Sequence, residues 1–573
     1  MNPRLNIASI AFAGFVALFG IVLAFWGWQE ANPEDYSVGK AAYLAVKGLI
    51  MSDAYDALKV DSPWQLHVAR WLGVVFASWA VIAAVVWGFG RSWRRYRARS
   101  KRNHIIVIGA VPFADALSDR AISTNKKQLS CIQLRSPGDP EFRKGRLTRL
   151  PYNGLHSLEE AGLPGARKVV IAAKTDAEAI DLALAAQSRC LDRKTIDIVT
   201  RLHDIGLGRS LNAVPGGEKL RIFSEAGAAA REVIRRHPPY LIAQDLEQKR
   251  IQALLVGDHD WVEAIMVETI LSACTLTYGK PVFKIFTGKT SDFRRRLAVR
   301  YPELHEAADV MVCDADRTGR APIEDSQLEN ISRDGAVTCT YCAYDDGAHS
   351  LAAAVALRDQ ALALKELKAP VFVRLSGEAG LPRPVPGSQL LEDALVPFGS
   401  MKDIIKATGI LSPSADKAEQ DWHQAYLGTI PKLNKDKPAN KPWEDLPEEF
   451  RIANRRAVAH LYAKLFEAGF DLRPWLERAN FWDELPCLAP GETLFRDEVA
   501  RAHLAELEHE RWNADRRMQG WVYGPETDYA RKVHNCLKPF SELSAEIQAF
   551  DYEFIDSLSR NLRNAGREIK RYA

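Results

Sequence analysis

Residues 503–551 read HLAELEHERWNADRRMQGWVYGPETDYARKVHNCLKPFSELSAEIQAFD. The first part has helical spacing: His509, Trp512 and Arg516 fall at i, i+3 and i+7 on one face, while Leu504, Leu507, Ala514 and Met518 supply apolar positions for packing. Gly520, where that pattern stops, is the expected left-handed residue past a helix end. An aromatic turn, Trp521-Val522-Tyr523-Gly524, follows at once. Two readings fit a polar-aromatic face of this kind. In one, the rings are a buried core that anchors a small helical domain. In the other they form a cup, where stacking rings beside cationic donors suit a flat, anionic small molecule and Arg516 or Arg517 meets its phosphate.

The stretch resembles the ryanodine-receptor (RyR) repeat domain in His509-Glu510 with Trp512, in the Gly520 to Gly524 turn, in Lys532, His534, Leu537 and Pro539, and in Phe550-Asp551. Asn535 stands where the family has Pro, and Phe540 where it usually has Tyr. The resemblance implies an all-α domain over residues 391–573. On the cup reading it nominates His509, Glu510, Trp512, Arg516, Trp521, Tyr523 and His534 as ligand contacts. Such repeats occur in pairs, and residues 416–426 and 445–470, which read as helices around a Pro-, Lys- and Asn-rich loop at 428–443, would be a diverged partner unit without the aromatic turn.

At the other end of the chain, residues 7–28 and 71–90 carry no charge. Each run can cross a hydrocarbon core of about 30 Å, so two membrane helices are expected within residues 1–102. Trp26, Trp28, Trp71, Trp87 and Trp93 sit at the span ends, where indoles prefer the water–lipid boundary. The seven positive charges from Arg91 to Arg102 put that end on the cytoplasmic side. Both termini and the bulk of the chain are then cytoplasmic, beneath the plasma (inner) membrane, with residues 29–70 as an outside hairpin. Two spans about 40 residues apart match a two-helix pore unit, with residues 41–58 as a re-entrant helix, and equally a passive anchor with a cap. A potassium filter needs successive backbone carbonyls from a TVGYG-like run. Ser37-Val38-Gly39-Lys40 lacks the second glycine and adds a cation, so potassium selectivity is not expected.

From His104 onward, β-branched runs alternate with Ala-rich helical stretches, the pattern of parallel sheets covered by helices. The runs lie at 104–109, 129–134, 168–173, 196–202 and 220–223, and again at 251–257, 281–286, 308–313, 336–342 and 369–375. They imply two consecutive Rossmann-like domains, residues 103–242 and 243–390. Stretches around Asp176 and Arg201, and in the second domain around Asp345, resemble the TrkA-N/RCK-like nucleotide-binding domains below potassium channels and transporters. The resemblance implies gating machinery that assembles as a homo-oligomer. The phosphate loops are degenerate, for of the GxGxxG pattern only Gly109 and Gly257 remain. Val111 and Pro112 follow in the first loop, and Asp258 and Asp260, which repel phosphate, in the second. Gly109, Asp176, Arg201, Gly257 and Asp345 are the weak nucleotide-site candidates, and no acid–base pair is placed for catalysis.

The net charge of +3 is smaller than the positive charge of the 91–102 run alone, so the rest of the chain is net acidic and is not expected to bind nucleic acid. Eight scattered cysteines suit a reducing compartment, and Cys339-Thr340-Tyr341-Cys342 has no second pair to complete a zinc site. The sequence therefore implies a multidomain membrane protein without a metal or a resident cofactor, in contact with lipid, other copies of itself and a small, nucleotide-like ligand. Three functions fit it: a ligand-gated ion channel or membrane effector, a non-conducting signalling scaffold, and a nucleotide-dependent enzyme.

Overall fold

The computed structural model describes residues 3–571 apart from 32–33, 35–36, 51, 57, 60, 110, 124–129, 136–141, 145–146, 191–195, 213–219, 316–322, 365–368, 377–394, 412–415, 430–437, 477–485, 490 and 563–566. The centre of the loop at 428–443 lies outside the described residues. The chain divides into two compact units: residues 1–108 with 118–167, and residues 109–117 with 168–573.

The first unit opens with α1 (Pro3–Ala31), the short α2 (Val38–Ile50) and α3 (Trp64–Arg99). Within α1 and α3, Phe12–Ala31 and Trp64–Ala83 are long and apolar enough to cross a membrane. The three helices pack on one another around Leu23, Ala24, Trp28, Ala41, Ala45, Tyr55, Leu66 and Ala69. Glycine makes this approach possible. A Cβ on Gly27 would lie 2.6 Å from Leu66 Cγ, and one on Gly48 2.5 Å from the Tyr55 ring. Phe15, Leu18, Phe19, Val22, Trp26, Trp71 and Val75 remain exposed on α1 and α3, as lipid-facing positions would be. Trp28 departs from the boundary role expected of it. It is buried against Tyr55, with ring centroids 6.2 Å apart, because the segment between α1 and α3 folds back over the end of α1.

α3 runs 36 residues without a break, about 54 Å at 1.5 Å per residue, so it projects well beyond a bilayer core. Its basic end is docked on protein. Arg95 Nη1 lies 3.5 Å from Glu160, and the missing side chain of Gly162 (φ +75°) leaves room for the Ala98 carbonyl, 2.7 Å from where a Cβ would stand. Lys101 Nζ donates to Thr148 Oγ1 (3.3 Å), and His104 Nε2 donates to the Ala161 carbonyl (2.7 Å). The chain passes directly into β1 (His104–Ile108). β1 is followed by β2 (Cys131–Arg135), β3 (Phe142–Lys144) and β4 (Leu147–Pro151), in spatial order β3-β4-β2-β1 with only the β3–β4 pair antiparallel.

In the second unit β5 (Ala166–Ile171, entering at Lys168), β6 (Asp197–Arg201) and β7 (Arg221–Phe223) pair in parallel, in that order. A second sheet follows, all parallel: β8 (Gln252–Gly257), β9 (Val282–Thr287), β10 (Asp309–Asp314), β11 (Cys339–Ala343), β12 (Val371–Arg374) and β13 (Leu395–Phe398), in spatial order β10-β9-β8-β11-β12-β13. β8 and β11 are buried throughout, which is why neither alternates between apolar and charged residues. The expected strands are all present. β3 and β4 are additional, and β13 carries the second sheet past the boundary expected at residue 390. A four-residue strand containing Pro397 gives little sequence signal, and the edge position makes the proline tolerable.

The C-terminal region is mainly helical, with Glu448–Ala459, Leu461–Glu467, Glu498–Arg517 and Ala545–Asn561, and two short strand pairs. It is tied to the second sheet's domain by a buried polar chain. Lys464 Nζ sits 2.8 Å from Glu508 and 3.0 Å from His460 Nδ1, and His460 Nε2 donates to the Cys274 carbonyl (2.8 Å). Burial, then the charges of Lys464 and Arg511, hold His460 well below its ordinary pKa, so the neutral ring accepts on one nitrogen and donates on the other.

Candidate functional site

Helix Glu498–Arg517 begins at Asp497, whose carboxylate accepts the Ala500 amide (2.8 Å). It ends in a Schellman turn: the Gly520 amide donates to the Arg517 carbonyl (2.9 Å) and the Trp521 amide to the Arg516 carbonyl (3.1 Å), with Gly520 at φ +82°. The turn reverses the chain so that Trp521 returns over Arg516. The guanidinium carbon lies 5.4 Å from the Trp521 ring and 5.6 Å from the Trp512 ring. His534, on the short strand that pairs with Val522–Tyr523, closes the cluster, 5.0 Å from Trp512 and 6.1 Å from Trp521, while exposed Tyr529 stands edge-on to Trp521 at 5.5 Å.

The members of this cluster differ in what they have left to offer. His509 stacks on Trp512 at 5.8 Å, but its Nε2 donates to the Lys538 carbonyl (2.9 Å) and its Nδ1 faces Asp551 at 3.4 Å. Burial alone would lower its pKa; the Asp551 hydrogen bond and charge raise it instead, and both ring nitrogens are committed to holding the fold. His534 is the opposite case. Burial, then Arg516 and His509, push it down to about 4, and its Nδ1 accepts the Cys536 amide (3.1 Å). Arg516 Nε is buried without a hydrogen-bond partner. Of the expected contacts, the structure therefore gathers Trp512, Arg516, Trp521 and His534, with His509 as a support. Tyr523 turns its ring to solvent and gives its amide to Glu303 (2.8 Å). Glu510 shares no ring contact with the cluster among the described residues, and burial raises its pKa.

Both departures from the family pattern have local reasons. Asn535 retains an amide that a proline would lack, and donates it to Thr527 Oγ1 at 3.4 Å. Phe540 is buried between His509 and Tyr552, at 5.8 and 5.9 Å, where a phenol hydroxyl would need a partner.

In the Rossmann-like domains, the surviving glycines serve backbone packing. A Cβ on Gly109 (φ +131°) would fall 2.1 Å from the Ala172 carbonyl oxygen, and one on Gly257 (φ +156°) 1.9 Å from that of Ala343. The second crevice is occupied by its own acids: Asp258 accepts the Asp345 amide (2.7 Å), Asp345 accepts Trp261 Nε1 (2.7 Å), and Arg374 covers the Trp261 ring at 4.5 Å. In the first, Asp176 accepts the amides of His203 (2.8 Å) and Asp204 (2.9 Å), and Arg201 pairs with Glu225. Burial would raise Asp176, but these hydrogen bonds hold it below the usual carboxylate range. The nominated residues Asp176, Arg201 and Asp345 are thus engaged by neighbouring groups. Cys339 and Cys342 are buried thiols raised by burial, the former to about 12.

Sequence reasoning missed Glu303 and Tyr529. Both lie in turns, where no periodicity marks a side chain as inward-facing.

No curated protein matches the chain. Similar solved structures include GsuK bound to ADP (16% identity, TM-score 0.37, covering 72% of this chain and 99% of that one) and the GsuK channel (15%, 0.37, 72% and 100%). The GsuK RCK domain is also similar (13%, 0.35, 56% and 78%). The Rossmann-like architecture rests on the strand order above and not on these low scores. The family model described as the RyR domain matches residues 496–571, the segment that builds the Arg516 cluster, and this segment is an RyR domain.

Proposed function

We propose that the chain is a two-pass, homo-oligomeric membrane protein whose RyR domain binds a flat, anionic, nucleotide-like molecule. The Rossmann-like domains pass the bound state to α1 and α3, which open an ion path or act as a membrane effector. The observation that carries the reading is Arg516, a guanidinium between two indoles with a buried donor nitrogen left unsatisfied. Such a donor costs about 1–3 kcal/mol, a penalty removed when an acceptor enters. A cation would meet Arg516's charge, so the cluster is no cage for ammonium groups despite its rings. The Rossmann crevices, where Asp176, Asp258 and Asp345 are already engaged by neighbouring groups, are assigned a relay role. No catalysis is assigned to the chain. The positive charge of the helix that leaves the second span supports a cytoplasmic side for the bulk of the chain.

The test is thermal stability of the full chain in detergent with mononucleotides, dinucleotides and cyclic nucleotides. A ligand at 100 times its Kd should stabilise the folded state by about 2.7 kcal/mol. Arg516→Ala should weaken it about 10- to 100-fold, the loss of one charge-assisted hydrogen bond. No shift with any compound would end the ligand reading. A shift without ion flux in liposomes would leave a signalling scaffold instead of a channel.

A further inference from the structure

The four residues Arg300 to Glu303 touch three domains within one turn. Arg300 ends the helix Thr290–Arg300 and pairs with Glu263 of the same domain (3.0 Å) and with Asp204 of the preceding one. Its guanidinium lies against Gly206, where a Cβ would come within 2.9 Å of it. Asp204 in turn donates its amide to Asp176 (2.9 Å). Three residues on, Glu303 accepts the Tyr523 amide (2.8 Å) and faces Arg517 Nε (3.3 Å), both in the RyR domain. The carbonyl of Arg300 itself lies 3.3 Å from the Cβ position of Gly520. Glu303 thus grips both sides of the Schellman turn that sets Trp521 over Arg516.

We propose that Arg300 to Glu303 is a coupling strut: it holds the Gly520 to Tyr523 turn from one end and the Asp204–Asp176 loop from the other, so that a change at either is delivered to the other. The proposal rests on the relay reading above and names the element that performs it. Two properties suit it to that task. Both ends are charge-assisted contacts, a guanidinium to carboxylates at Arg300 and a carboxylate to an amide and a guanidinium at Glu303, which hold direction as well as distance. Rigid elements joined by such contacts carry coupling when both ends bias the same element.

The test needs no ligand: hydrogen–deuterium exchange of the full chain in detergent, following peptides that cover 520–534 and 203–212. Glu303→Ala should raise exchange in both segments several-fold. Glu467→Ala, which removes a different tie between the domains, the bond from Thr277 Oγ1 (2.9 Å), along with a contact to His503 inside the C-terminal region (2.7 Å), should leave 203–212 unchanged. A rise confined to 520–534 in Glu303→Ala overturns the strut. If Glu303→Ala loosens the whole chain, the same two-segment comparison is decided with Glu303→Gln, which keeps the shape and weakens the bond to Arg517. Failure here leaves the ligand reading standing, since that is decided by thermal shifts at Arg516.

Discussion

A single hydrogen-bonding nitrogen separates the two readings that the residues around Trp512 allow. Arg516 Nε is buried without a hydrogen-bond partner, and on the proposed reading it is the donor that an incoming acceptor would satisfy. His534 shapes how this cluster responds to acid. Its folded pKa lies near 4, below the ordinary value of 6.5, so between those values the unfolded chain takes up a proton the folded one refuses. The contribution is fully present above pH 6.5 and is lost as pH falls through 4. His534→Phe should flatten that part of the stability–pH curve, and an unchanged slope in urea titrations at pH 4.5 and 7 would contradict it. Glycine tests the crevices in the same way. Gly257→Ala places a methyl 1.9 Å from a backbone oxygen, and should destabilise the second sheet by several kcal/mol, beyond the roughly 1–3 kcal/mol of ordinary overpacking, with no nucleotide present. A mild effect would return that glycine to phosphate binding.

Among the elements, α3 has the clearest consequence. It stays helical through its basic run and docks by Ala98 and Arg95, with only four residues between its end and β1, so on the proposed reading it passes tilt or rotation to that strand. Gly162 meets the end of α3 closely, at a positive φ that an L side chain rarely adopts. Gly162→Ala should cost about 1–3 kcal/mol from strain and contact together, and should expose the Arg99–Arg102 segment to trypsin. Protection equal to the wild type would mean that the docking is held elsewhere. The Schellman turn gives a parallel case in the RyR domain. Gly520→Ala should destabilise it by about 1 kcal/mol, read by denaturant midpoint at constant m, because φ +82° favours glycine.

For the whole molecule, the proposed sequence of events is ligand at Arg516, displacement of the aromatic turn, movement of the Rossmann-like domains, and response of α3. The prediction at this scale is a separation of effects. Arg516→Ala should abolish ligand binding and response together, whereas Gly162→Ala should keep the ligand's thermal shift and lose most of the response in liposomes. Equal loss of both in Gly162→Ala would mean that the membrane end and the sensor are not separable steps.

Much of this organisation follows from local chemistry. Uncharged runs of bilayer length, a basic exit, alternating apolar strands and the glycine after Met518 and Gln519 each depend on neighbours in sequence, so the sequence alone determines two candidate spans, two parallel α/β domains and an RyR helix with its aromatic turn. Arg516, Trp512 and Trp521 were legible for the same reason, lying on one helix face and the turn that ends it. What only the tertiary structure decided involves groups far apart in the chain. Glu303 meets Arg517 and Tyr523 across more than 200 residues, His509 is committed to Lys538 and Asp551, and Trp28 is drawn from the expected boundary into a core with Tyr55. Gly109 and Gly257 belong with these: the sequence shows a surviving phosphate-loop glycine, while the fold shows a carbonyl where a side chain would be, because hydrogen-bond satisfaction and steric exclusion depend on which segments meet.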